Sequence, residues 1–214
     1  MKANVWQDEE NGIIRTHVDW ELEDVTARMI NWFWCNMDKF DILWHPNQHF
    51  GCTWMKGYGP TDLGTMMNTV HIAPQKWNDG KMLNLYIRME KLDEVPKEAK
   101  DIIKYDHVVI AAGDTTGKLS EDYPDAPTST WRVHQWQATD EGVIGMSSAI
   151  TLGEEDSCES GLIWAQHGSE EISNWEISLP EFYRIYKIVK NPEIAPYYDF
   201  KVEGKGLEAK YLHM

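Results

Sequence analysis

The sequence predicts an α+β fold in which a curved antiparallel sheet grips a long C-terminal helix. Three observations predict it: an early helical pattern, a run of about six or seven strand-like segments punctuated by Gly and Pro, and a closing helical stretch through residues 161 to 190. At 214 residues the chain suits one domain, taken as residues 1–214 with 191–214 as a C-terminal tail.

Taken in order, residues 13–18 alternate and read as a first strand. From Asp19 the acids Glu21, Glu23 and Asp24 crowd what looks like a first helical turn, and Val25, Met29, Ile30 and Phe33 recur at helical spacing, so a helix is expected over about 20–36. A second short helix or turn over 37–43 leads to FDILWHPNQHF (residues 40–50), where a helix should end near Trp44 and Pro46 should force a turn. His49 then stands at the mouth of a strand, aimed by Trp44, His45 and Pro46.

Strands are expected at 51–58, 66–73 and 82–92, the second ending at Pro74. A brief helix or charged loop follows at 94–103, and a short apolar strand at 108–112. The Thr-, Asp-, Pro- and Gly-rich stretch 114–130 is one long loop, placed as a lid over a pocket. Residues 131–138 and 143–152 form the clearest hairpin, with Thr139 to Gly142 as its turn and Arg132, His134 and Trp136 on one strand face. The final helix starts near Gly161, breaks or kinks before Pro180 and resumes over 181–190. A sheet closed over such a helix leaves a cavity between them.

Composition excludes several functions. A formal charge of −15 with scattered basic residues argues against nucleic acid and against an anionic membrane surface. Cys35, Cys52 and Cys158 lie far apart with no CxxC, so neither a disulfide framework nor a thiolate zinc site is expected, and a reducing, cytoplasmic setting fits. The first residues lack an apolar signal core and no run has membrane-span length, so the expectation is a soluble, unprocessed protein. The 11 tryptophans suit a heavy core or a pocket for a flat aromatic ligand, and Trp54, Tyr86 and Trp136 are candidates to face such a pocket.

The chemistry concentrates in histidines. His167 and Glu171 are spaced i, i+4 and leave one helix face together, a pairing that suits two ligands of one zinc ion. His49 supplies a third donor, and two histidines plus a carboxylate are a common catalytic zinc set with an open position for water. His107 and His134 are candidates for proton transfer.

LWHPNQH, RVHQWQATDEG, and HGSEE followed by LPEFYRIY resemble the zinc-dependent 2,4-diacetylphloroglucinol and phloretin hydrolases, which cleave the carbon–carbon bond between an acyl group and a phloroglucinol ring. The likeness runs in order through residues 18–187, with these three regions carrying its specificity. It implies a helix-grip fold of the START and birch-pollen-allergen kind, Zn2+ held by His49, His167 and Glu171, and a small aromatic ketone as substrate. The family's fourth ligand is a strand Glu; residues 66–80 contain none, and of His71 and Gln75, which could offer a ligand atom there, His71 is the choice. Asp41 stands where the family has a substrate-contacting Tyr, and Cys52 near a substrate-contacting Asn. The alternative function is a helix-grip protein that binds a hydrophobic aromatic or lipid ligand without catalysis. A homodimer is left open.

Overall fold

The computed structural model describes residues 1–114, 127–152, 157–188 and 199–213. Its centre is an eight-stranded antiparallel sheet in the order β1-β2-β8-β7-β6-β5-β4-β3. The strands are β1 (Lys2–Gln7), β2 (Ile14–Glu23), β3 (Thr53–Trp54), β4 (Val70–Lys76), β5 (Met82–Met89), β6 (His107–Asp114), β7 (Thr130–Ala138) and β8 (Gly142–Thr151). Helices α1 (Ala27–Cys35) and α2 (Met37–Trp44) lie between β2 and β3 in sequence, the one-turn α3 (Pro60–Leu63) between β3 and β4, and α4 (Lys97–Lys100) between β5 and β6. Helix α5 (Cys158–Ile188) packs against β2, β1, α1, α2 and β8. This is the helix-grip α+β arrangement, and no helix among the described residues is long and apolar enough to cross a membrane.

The first helix is shorter than its acidic start implied. Ile14, Thr16, Val18, Trp20 and Leu22 are buried while their neighbours are not, a period of two that carries β2 through Glu23. Glu21 and Glu23 are therefore outward strand residues. Asp24 turns the chain at φ 59, and Thr26, whose hydroxyl accepts from Met29 N at 3.2 Å, caps α1 instead. The alternation prevails because β2 pairs along all ten residues with β8.

Other boundaries shift for local reasons. The strand expected at 51–58 shrinks to Thr53–Trp54, and the one expected to end at Pro74 runs on to Lys76. Beyond β3, which pairs only with His71 and Ile72, β4 is met by the irregular segment 48–50, whose Phe50 N donates to Pro74 O at 3.0 Å, so Pro74 stands in the outermost pairing of the sheet. Helix α5 begins at Cys158 and continues through Pro180 without a break. An interior proline costs roughly 3 kcal/mol. Leu179 and Phe182 on either side are buried, with Phe182 stacked on Phe40 at 4.5 Å, and each such side chain contributes roughly 1.5–3 kcal/mol on burial.

Residues 115–126, most of the loop expected as a lid, lie outside the described residues. Part of the expected tail is ordered structure: β9 (Phe200–Glu203) and β10 (Lys210–His213) form a hairpin. Its buried Tyr211 hydroxyl donates to Val108 O and accepts from Val108 N, occupying β6 groups beyond the reach of β5, which pairs only with Ala111–Asp114.

Between sheet and helix the space is filled by indoles. Trp44 stacks on Trp175 at 5.4 Å, and Trp34 meets both edge-on at 5.6 and 5.7 Å. Trp20 lies across β8 over Gly145, where a Cβ would stand 2.2 Å from the indole.

Candidate metal centre

Helix α2 ends at the turn before Pro46, where His45 O accepts from Gln48 N at 3.1 Å and from His49 N at 2.9 Å. That turn delivers His49 to a bridge with Gln75 of β4 and points its ring at α5. One helical turn apart on α5, His167 and Glu171 face it. All three residues are more than nine-tenths buried.

Three potential ligand atoms converge. His49 Nε2 lies 3.4 Å from His167 Nε2 and 3.2 Å from Glu171 Oε1, and His167 Nε2 lies 3.1 Å from the same oxygen. Zinc bound at about 2.0–2.1 Å to nitrogen and oxygen in a tetrahedron sets its ligand atoms about 3.3–3.4 Å apart. The three donors thus outline one face of such a tetrahedron and leave its fourth corner free of these side chains. They are the group among the described residues with metal-ligand spacing.

The opposite ring nitrogens are already engaged. His167 Nδ1 lies 2.8 Å from Gln48 Oε1, and Gln48 donates through Nε2 to Asn78 Oδ1 at 2.9 Å. His49 Nδ1 lies 3.1 Å from both the main-chain oxygen and Oδ1 of Asp41. Since an amide oxygen and a main-chain oxygen only accept, both Nδ1 atoms carry hydrogens and both Nε2 atoms are turned to the shared point. The His167 ring also stacks on His45 at 4.9 Å and on Trp77 at 4.9 Å, which limits its rotation.

Electrostatics agree with a site built for positive charge. Burial alone would lower the pKa of His49, but hydrogen bonds to Asp41 and Glu171 and their charges outweigh it and raise it to about 10. Burial would raise Glu171, yet His167 and His49 hold its carboxyl well below the usual range. The two carboxylates and the two rings thus hold one another by charge and hydrogen bonds at the point where the three donor atoms meet.

The remaining candidates separate. His134 on β7 is buried, with Nδ1 2.9 Å from Ser147 Oγ and its ring 4.9 Å from Trp34; burial pushes its pKa down to about 4, opposed by nearby Glu171. His107 instead stacks on Trp136 at 5.7 Å, lies 3.3 Å from Asn31 Nδ2 and feels Asp106 and Lys205, so the structure does not bring it to the three donors.

His71 is likewise outside the group. It stands on β4 four residues before Gln75, the partner of His49, and is not among the donor atoms that converge. Its ring meets Trp54 edge-on, and burial, then the charge of His49, pushes its pKa down to about 3. Gln75 Oε1 accepts from Trp77 Nε1 at 2.7 Å. Of the expected inward-facing side chains, Trp136 is fully buried, whereas Trp54 and Tyr86 are half-buried.

Sequence reasoning passed over Gln48, Asn78, Trp77 and Ser147, which hold the key rings. Gln48 was the most findable, as the polar neighbour of His49 in a short turn. Asp41 and Cys52, the two departures from the resembling family, line one cleft of about 250 Å³ together with Ile42, Phe50, Ile72 and Pro74. A second, polar cleft of about 520 Å³ opens over His45, Asn47, Gln166 and Glu170.

Fold and site together define a helix-grip protein with a His, His, Glu constellation at the junction of α2, β4 and α5. No family model matches the chain, and no curated relative does. Solved structures do: protein Ms6760 from Mycobacterium smegmatis (13% identity, TM-score 0.46, covering 84% of this chain and 98% of that one) and protein NE0264 from Nitrosomonas europaea (13%, 0.45, 82% and 97%). Ara h 8.0201 matches at 13% identity and TM-score 0.45, over 82% of this chain and 99% of that one.

Proposed function

We propose that the protein is a zinc-dependent hydrolase that cleaves the carbon–carbon bond between an acyl group and a phenolic ring, as its motifs resemble those of the diacetylphloroglucinol and phloretin hydrolases. The observation that carries the metal is the face of three donors, 3.1–3.4 Å apart, with both histidine Nδ1 atoms engaged elsewhere. Zinc held by such a set ionises water near neutrality and polarises a carbonyl.

The chain's own residues supply the rest. In the net reaction the hydroxyl of water goes to the acyl carbon, the aryl–acyl bond breaks and a proton goes to the ring carbon, giving a carboxylic acid and the deacylated phenol. His134, kept neutral by burial and close enough to Glu171 to feel its charge, takes up the proton from water and returns it to the ring carbon. The packed indoles exclude bulk water from the donors.

The test is turnover. Zinc-loaded protein incubated with a panel of acyl phloroglucinols and followed by chromatography should release the deacylated phenol, and Glu171→Gln should abolish release. No product from any member, at full zinc loading, sinks the hydrolase reading.

A second reading, a helix-grip protein that holds an aromatic ligand without turnover, draws on a different observation. The buried indole N–H groups of Trp34, Trp44 and Trp175, which pack on one another, have no hydrogen-bond partner among the described residues, and a ligand that parted these rings would satisfy them with its oxygens. Tryptophan quenching by the same panel without product release favours this reading.

A further inference from the structure

The two histidines of the centre are held differently. His167 leans on a neutral amide, Gln48, whereas His49 leans on a carboxylate, Asp41. Asp41 is buried, and its Oδ2 has no hydrogen-bond partner among the described residues. Lys39, two residues earlier, forms its ion pair with Asp38. A buried carboxylate is unfavourable for the fold unless a partner compensates its charge. His49 is thus the group toward which Asp41 directs its charge, and the last turn of α2 is the element that fixes it there, since Asp41 O also accepts from His45 N at 3.3 Å.

We propose that Asp41 is the positioning residue that polarises and orients His49, making it the stronger of the two imidazole ligands and setting the metal affinity of the centre. The inference rests on the metal reading above and assigns position 41 a role other than the substrate contact made by the tyrosine of the resembling family. The carboxylate shares the Nδ1 hydrogen with the main-chain oxygen of Asp41, so that Nε2 is left for the metal, and it alone adds electron density to the ring. Gln48 holds the Nδ1 hydrogen of His167 without adding charge.

The test is zinc affinity, measured on the full chain by competition with a chromophoric chelator, for wild type, Asp41→Asn and Asp41→Glu. Asparagine keeps an oxygen for the Nδ1 hydrogen and removes the charge, so zinc should bind about 10–100-fold more weakly, with glutamate recovering part of the loss and circular dichroism unchanged. Long-range proton–nitrogen NMR of zinc-loaded wild type, which needs no variant to fold, should show His49 protonated at Nδ1 and metal-bound through Nε2. Asp41→Asn binding zinc as tightly as wild type, or His49 bound through Nδ1, overturns the proposal while leaving the metal reading intact. Wild type that binds no zinc removes the metal reading itself.

Discussion

Gln48 Oε1 and His167 Nδ1 lie 2.8 Å apart, joining a turn residue to a helix residue 119 positions later, and Asn78 anchors the same amide from beyond the end of β4. One side chain thus ties three separate segments at the back of the candidate metal centre. Replacing it with leucine, which fills the space but cannot accept, should free the His167 ring and weaken zinc binding about 10-fold or more. Chelator competition measures this; unchanged affinity would mean that stacking on His45 and Trp77 alone fixes the ring.

His134 should make the protein acid-sensitive in a defined window. The ring titrates at 6.5 in its ordinary state and at about 4 when folded, because burial disfavours its charged form. Stability from the neutral ring is therefore complete above about 6.5 and is lost as pH falls toward 4, on the order of 3 kcal/mol across the window. Urea unfolding of wild type and His134→Gln should show their stability difference moving in favour of the variant as pH drops from 7 to 4.5. A difference independent of pH would contradict the assignment.

Gly145 is a packing requirement. A Cβ there would stand 2.2 Å from the Trp20 ring and 2.6 Å from Gln135 O, and the main-chain oxygen cannot move aside cheaply. Trp20 in turn donates to Ser147 Oγ at 3.2 Å, the hydroxyl that holds His134. Gly145→Ala should cost about 1–3 kcal/mol by overpacking, read as a lowered Tm; an unchanged Tm would show that β8 can give at this point.

Pro180 interrupts the hydrogen bonding of α5 without ending the helix. Pro180→Ala should restore a main-chain donor and stabilise the protein by up to about 3 kcal/mol. Differential scanning calorimetry checks it, and a lower Tm would show that the proline ring itself packs in a required way.

Much of this architecture was legible because its signals are local. The β7–β8 hairpin announced itself through alternation around a Thr139–Gly142 turn, and His167 and Glu171 through helical spacing. What was not legible depended on partners distant in sequence. Trp20 and Leu22 read equally well as the start of a helix until β8 is seen beside them, and Pro180 reads as a break until Phe40 is found stacked on Phe182. At the site, His49 could be named from its motif, whereas Asp41 and Gln48 have roles only because α2 and its turn bring them behind the rings. His71 stood in for the missing strand Glu, and its place on β4 keeps it out of the three-donor group.

Zinc K-edge X-ray absorption on the purified, zinc-loaded protein tests the central claim most directly. The account predicts one zinc per chain with two imidazole nitrogens and carboxylate oxygen at about 2.0–2.2 Å, and loss of one imidazole in either His49→Ala or His167→Ala. A spectrum dominated by sulfur at about 2.3 Å, or one that both variants leave unchanged, would contradict it.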